Sequence, residues 1–366
     1  MTFPNPFPDL LTSDVSMLAA LTAAQAATAI TFPTTGVHLS APISIAAVQN
    51  PTSPSISFAY AGFRDKEMHY SGSLLKVAAM FAAFELRQSA ADFAQNEGDC
   101  TAGVVFNDLK TAFDQDIANS VPRLLTEPGI TNAMRLPKYP TIFDSPQGLA
   151  SGGCAMSFSA AFTNNVRGMI VPSNNNMASA TIQALGYSWI NGLLSQSGLF
   201  DPGTNTGIWL GGTFTGAFPA VRVPSVNDGP SAQATTTIDM ARILALIIEA
   251  NTLDSRSTAD GIASDMKDLL AQGQNAADAD SSWMTTGARP GIDGLGPGFT
   301  ITHCKIGLGN LNAGGGDVAS EGTILSHDDT GQQFLVVWQN VSDNTDALNA
   351  ITFEVRRTIL NYLGLP

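Results

Sequence analysis

The chain has 366 residues, 44% of them hydrophobic and only 13% charged, with 31 acidic side chains against 17 basic ones. That balance describes a soluble globular protein of one large domain or two intimately joined ones, and it excludes a disordered chain or a coiled coil. The net charge of −14 argues against nucleic acid as a partner.

Residues 17–30 are Ala-rich but follow Asp9 and Asp14 with no Lys or Arg before them, the pattern of an N-terminal helix and not of a signal peptide. No apolar run reaches the length of a membrane span. Ile43, Ile45 and Ala47 alternate with polar or small residues, as do Ile56, Phe58 and Tyr60 after the turn-like Asn50-Pro51-Thr52-Ser53-Pro54, which predicts a hairpin. From 74 to 86 the chain is apolar on nearly every side, as in a helix buried all round. Further helical patches at 106–117, 178–194 and 237–250 are broken by Gly, Pro and Asn. Strands return at 301–306, 322–326 and 333–339, with Gly314-Gly315-Gly316 as a hairpin tip and a turn at 328–331. A last helix carries Leu348, Ile351, Val355, Ile359 and Tyr362 on one stripe.

Strands at both ends with helices between them predict an α/β fold of the α+β type. An antiparallel sheet is built from both termini and flanked by helices, and a mostly helical domain is added to it. The expected division is a discontinuous sheet domain, 1–70 with 295–366, and a helical domain, 71–294, with the active site at their interface. The three cysteines lack the spacing of a zinc site, and whether Cys100 pairs with Cys154 is open. His38, His69, His303 and His327 are scattered without metal-ligand spacing, although alternation puts His303 on the side of Lys305.

Ser73-Leu74-Leu75-Lys76 opens the buried helix. A spacing of three is nearly one turn, so hydroxyl and amine share a face near the positive end of the helix. A serine hydroxyl needs a base to become a nucleophile, and burial among apolar neighbours drives a lysine toward its neutral, basic form. The same spacing recurs in Ser264-Asp265-Met266-Lys267, but Asp265 and Asp268 there mark an exposed face from which Lys267 reaches solvent. Lys76 sits among Leu74, Leu75, Val77, Ala78, Ala79, Met80 and Phe81 and has no such escape.

Ser173-Asn174-Asn175, which composition alone reads as a loop or helix cap, and Lys305-Ile306-Gly307, on a predicted strand, follow in that order. With S-x-x-K, S-x-N and K-x-G in sequence, the chain resembles the serine β-lactamase and D-alanyl-D-alanine peptidase superfamily, whose third motif is K-[ST]-G, and is closest in pattern to class A β-lactamase-like proteins. Thr235-Thr236-Thr237 ahead of Met240-Ala241 resembles a further landmark of these proteins, and the similarity runs from about 41 to 366, weakest between 90 and 165. The resemblance implies a serine hydrolase that works through an acyl-serine on an amide, peptide or ester. Ser73 would attack, Lys76 would take its proton, and Ser173 with Lys305 would pass a proton to the leaving group. Asn175 would orient Lys76 and the substrate amide, and the backbone N–H groups of Ser73 and Leu308 would form the oxyanion hole. Gly307 would let the substrate backbone lie close to the strand. No cofactor is called for, the partner is a small-molecule or peptide substrate, and the implied location is periplasmic or secreted.

Two departures bear on specificity. Ile306 replaces the hydroxyl residue that helps hold a substrate carboxylate. Between 200 and 238 the only acids are Asp201 and Asp228, with no Glu-x-x-x-Asn to activate a deacylating water. The alternative expectation is therefore a penicillin-binding or sensor-type domain that acylates without efficient turnover.

Overall fold

The computed structural model describes residues 3–51, 56–256 and 261–366. Numbering only the longer elements and one edge strand, β1 (Leu11–Ser13) leads into α1 (Val15–Thr31), whose first turn is capped by the Asp14 carboxylate accepting from the Met17 N–H at 2.7 Å. β2 (Ile43–Gln49) and β3 (Ser57–Phe63) form the predicted hairpin, paired from Ile43 with Phe63 to Gln49 with Ser57. Most of its expected turn, residues 52–54, lies outside the described residues.

A 3-10 turn, Gly72–Leu75, then runs into α2 (Lys76–Ala94), followed by α3 (Ala102–Asn119), α4 (Ala160–Ile170), α5 (Asn175–Leu185) and α6 (Tyr187–Gln196). The single helix expected over 178–194 is thus two, broken at Gly186. After α7 (Thr237–Glu249) and α8 (Ile262–Asn275) the chain returns through β4 (Phe299–Asn310), β5 (Asp317–His327) and β6 (Gln333–Ser342) to α9 (Thr345–Leu363).

The sheet order is β1-β3-β2-β6-β5-β4, so strands from both ends of the chain meet at the β2–β6 pair, with Ile45 opposite Val336. The expected antiparallel pattern holds except at one edge, where β1 runs parallel to β3 with Leu11 opposite Phe58. Three residues are too short for any alternation to show in the sequence, and β1 was not foreseen.

Period-two geometry splits the buried residues of β6 between two apolar clusters. Phe334, Val336 and Trp338 join Ile43 and Ile45 and, from α1 and α9, Met17, Leu21, Ile351 and Val355. Leu335 and Val337 join Ala46, Val48 and the larger cluster around α2, where every side chain from Val77 to Ala83 is fully buried. Cys100, just ahead of α3, is disulfide-bonded to Cys154, which settles the pairing left open above. Among the described residues no helix is long and apolar enough to cross a membrane.

Candidate active site

The turn Gly72–Leu75 carries Ser73 and is pressed against β4 by two glycines. Gly72 takes φ +54, and a Cβ there would lie 2.6 Å from the Leu308 carbonyl oxygen and 3.0 Å from its amide nitrogen. Gly307 meets the turn from the other side: a Cβ would collide with the Ser71 carbonyl oxygen and with Ser320 Oγ, and would lie 2.7 Å from the Leu74 nitrogen. Ser320 Oγ donates to the Ser71 carbonyl at 2.6 Å and fastens the contact. The protein's own packing thus requires a glycine at 307. The same approach sets the Leu308 amide beside the residue preceding Ser73.

Lys76 opens α2 and is completely buried. Its amine donates to the Ser173 carbonyl at 2.6 Å, to Asn175 Oδ1 at 2.7 Å and to Ser173 Oγ at 3.2 Å. Burial, reinforced by the charge of Lys305 and opposed by that of Asp280, brings its pKa down to about 7. The face of the Phe214 ring, 4.7 Å away at its centroid, attracts the charged form and works in the opposite direction.

Lys305 is just as deeply buried on β4, and its amine donates to Ser173 Oγ at 2.8 Å. Burial lowers its pKa to about 8 against the opposing fields of Asp280, Cys304 and Glu321. Ser173 therefore bridges two lysine amines. It does so from a left-handed backbone, φ +54, a conformation that a residue with a Cβ adopts only where its surroundings enforce it. The two asparagines that follow Ser173 hold different partners. Asn174 caps α5 by accepting from the Asn176 and Met177 N–H groups at 2.9 and 3.1 Å, while Asn175 turns its oxygen to Lys76.

Ser73, Lys76, Ser173, Asn175, Lys305, Gly307 and Leu308 are thus gathered around one turn. Ser73 and Lys76 are not hydrogen-bonded to each other: among the described residues Ser73 Oγ has no hydrogen bond, and the three Lys76 hydrogen bonds go to Ser173 and Asn175. Ile306 is only 2% exposed and points into the cluster with α1 and α9, so it offers nothing to a substrate. Leu308 keeps 43% of its surface exposed at the edge of the sheet.

The second S-x-x-K copy lies on α8, where Asp265 pairs with Arg87 at 2.6 Å. Lys267 is half-buried there between exposed Ser264 and Asp268, and its charge adds to the burial that lowers the His303 pKa to about 4. Phe214 was missed. It sits in an irregular loop with no motif of its own, which leaves no spacing to read in the sequence.

No protein-family model and no curated protein matches the chain. Solved structures do. The TLA-1 extended-spectrum β-lactamase superposes with a TM-score of 0.52 at 11% identity, covering 94% of this chain and 99% of that one. The TLA-3 extended-spectrum β-lactamase gives the same TM-score of 0.52 and the same coverage, 94% and 99%, at 13% identity. The fold is therefore that of the serine β-lactamases over nearly the whole chain.

Proposed function

We propose that the protein is a serine acyl-transfer hydrolase that forms an acyl-serine at Ser73 from an amide, peptide or ester. The observation that carries this reading is the buried pair Lys76 and Lys305 joined through the Ser173 hydroxyl, one turn from an otherwise unbonded serine. When Lys76 is neutral, its two N–H groups are used by the Ser173 carbonyl and Asn175 Oδ1, which can only accept; its lone pair then faces Ser173 Oγ. Two lysines with lowered pKa values sharing one hydroxyl form a path along which a proton can move at neutral pH.

In the proposed sequence Ser73 Oγ attacks the carbonyl carbon as its proton passes to Ser173 Oγ, which gives its own proton to the lone pair of Lys76. The Ser73 and Leu308 amides receive the developing oxyanion. Collapse expels the leaving group, which takes a proton from Ser173 Oγ, and Ser173 is reprotonated from the Lys76 side while Lys305 holds it in place. Because Ile306 is turned away, a substrate carboxylate has no side-chain hydroxyl to meet at that position. Neutral esters and amides fit the site better than substrates recognised through such a group.

The test is to incubate the protein with small p-nitrophenyl esters and with a labelled penicillin, and to follow absorbance and intact mass. Acylation mapped to Ser73, lost in Ser73→Ala, is the expected result. No adduct and no turnover, with Ser73→Ala indistinguishable from the parent, would overturn the assignment.

A further inference from the structure

Hydrolysis of an acyl-serine requires a water oxygen to attack the ester carbon, a group to take the water's proton, and a proton returned to Ser73 Oγ as the ester bond breaks. The group that the 211–221 loop sets against the Lys76 amine is an aromatic ring. The Phe214 centroid lies 4.7 Å from the Lys76 amine. Phe214 is itself half-buried.

The ring is fixed by its loop. Thr215 is tied to Ser179 Oγ through its N–H at 3.1 Å and its Oγ1 at 3.0 Å, and Ser179 lies one turn beyond Asn175 on α5. The Phe218 N–H donates to Thr213 Oγ1 at 3.3 Å, and Gly211 is paired with Ala232 and Val221 at 2.7 Å each.

Neither of the two acids between 200 and 238 is free to serve the site. Asp201 accepts from Gly203 N–H and Thr204 Oγ1 at the surface, at 2.8 and 2.7 Å. Asp228 is held by Asn312 Nδ2 and the Ala313 N–H at 3.1 and 2.9 Å, on the β4–β5 hairpin tip. Asp280, whose field reaches both Lys76 and Lys305, has its carboxylate paired with the Arg289 guanidinium at 3.5 Å.

Resting on the acyl-serine reading above, we propose that Phe214 caps the Lys76 amine and keeps base-activated water from acyl-Ser73, so that the serine gains its acyl group much faster than it loses it to water. Phe214 is a positioning and excluding residue: it forms no bond with the substrate. It removes the site at which water could be deprotonated, while Lys76 keeps its path to Ser173 for the acylation half-reaction.

The test uses p-nitrophenyl acetate with the full chain, stopped-flow absorbance and intact mass. The expected trace is a burst of p-nitrophenolate near one equivalent, with acetyl-Ser73 accumulating, followed by a slow steady phase. Phe214→Glu, which supplies a carboxylate base beside Lys76, should shorten the acyl lifetime by about tenfold or more, a modest share of what a well-placed base contributes. Phe214→Ala, which opens the space to water, should shorten it less, and Phe214→Tyr should retain the slow phase. Circular dichroism and melting confirm that each variant is folded.

Rapid steady turnover with no accumulated acetyl-Ser73 in the parent would overturn the proposal while leaving the acyl-serine reading standing. So would lifetimes in folded Glu and Ala variants equal to that of the parent. No acetylation of Ser73 in any variant would overturn the acyl-serine reading itself, and this proposal with it.

Discussion

Lys76 and Lys305 both hold their protons less tightly than a lysine in water, at about 7 and about 8, and the first cause in each case is burial. In the proposed chemistry Lys76 must be neutral and Lys305 charged. Acylation should rise with pH through about 7 and fall again through about 8, a narrow bell best measured on the burst phase of an ester. Asp280 raises both values, so Asp280→Asn should move both limbs toward lower pH. The same burial has a stability consequence. At pH 6 Lys76 is charged in the folded and the unfolded chain, and the folded state bears the cost of a buried ammonium. Lys76→Met should therefore abolish acylation and yet raise stability by about 1–3 kcal/mol in melts at pH 6. A Met variant less stable than the parent would mean that the bonds to Ser173 and Asn175 outweigh the desolvation. Lys76 and Lys305 were legible in the sequence because each belongs to a short motif; Asp280, which belongs to none, and Phe214, a ring that acts by occupying space, were not.

The turn Gly72–Leu75 and β4 hold each other at backbone contact, and the two glycines that permit it differ from their neighbour in what they touch. At Gly307 a Cβ meets the Ser71 carbonyl and the Leu74 nitrogen, backbone that cannot turn aside. At Gly309 it meets only the ring and hydroxyl of Tyr70, a side chain that can. Gly307→Ala should therefore push β4 off the turn, costing about 1–3 kcal/mol of stability. The Leu308 amide moves with the strand, so acylation should fall about a hundredfold if the displacement approaches 1 Å. Gly309→Ala should cost clearly less on both counts, and equal damage from the two would refute the argument. The glycines also explain a misjudged boundary. Alternation marks a strand only as far as Ile306, whereas β4 continues to Asn310, because Gly307 and Gly309 carry no side chain from which a face could be read. Ser73 likewise sits in a 3-10 turn ahead of α2 and not in the helix proper, a distinction that an apolar run does not register.

At the scale of the molecule, the joining of strands from both chain ends was visible in the apolar alternation of 43–47 and the continuous run of 334–338, while the parallel edge strand β1 was too short to announce itself. What the pattern of apolar residues could not show is how many charges the two clusters enclose. Glu321 on β5 is fully buried and accepts from Ser282 Oγ, from Thr323 Oγ1 at 2.7 Å and from the Trp283 N–H at 3.1 Å. Glu354 on α9 faces Gln25 and Thr28 of α1, yet neither carboxyl oxygen reaches a hydrogen bond among the described residues. Burial raises both to about 7 from an ordinary value of 4.5. The folded chain thus binds more protons than the unfolded chain between about 4.5 and 7, and stability falls as pH rises through that window. For Lys76 and Lys305 the sign is opposite. Their folded values lie below the ordinary 10.5, so the folded chain binds fewer protons between about 7 and 10.5, and stability rises with pH there. The two trends meet near neutrality. Below pH 6.5 the lowered values of His303 and His69 act against the carboxylates and reduce the acid limb without cancelling it, so melting temperature plotted from pH 4.5 to 10 should still pass through a minimum near pH 7. A tenfold difference in proton affinity between the folded and unfolded chain is worth about 1.4 kcal/mol at most, so even partial relaxation leaves limbs steep enough to measure. Glu321→Gln and Glu354→Gln should flatten the acid limb and leave the alkaline one, and Lys76→Met should do the reverse. A maximum at pH 7 in the parent, or limbs that do not respond selectively to these substitutions, would show that the buried groups are better solvated than their surroundings imply.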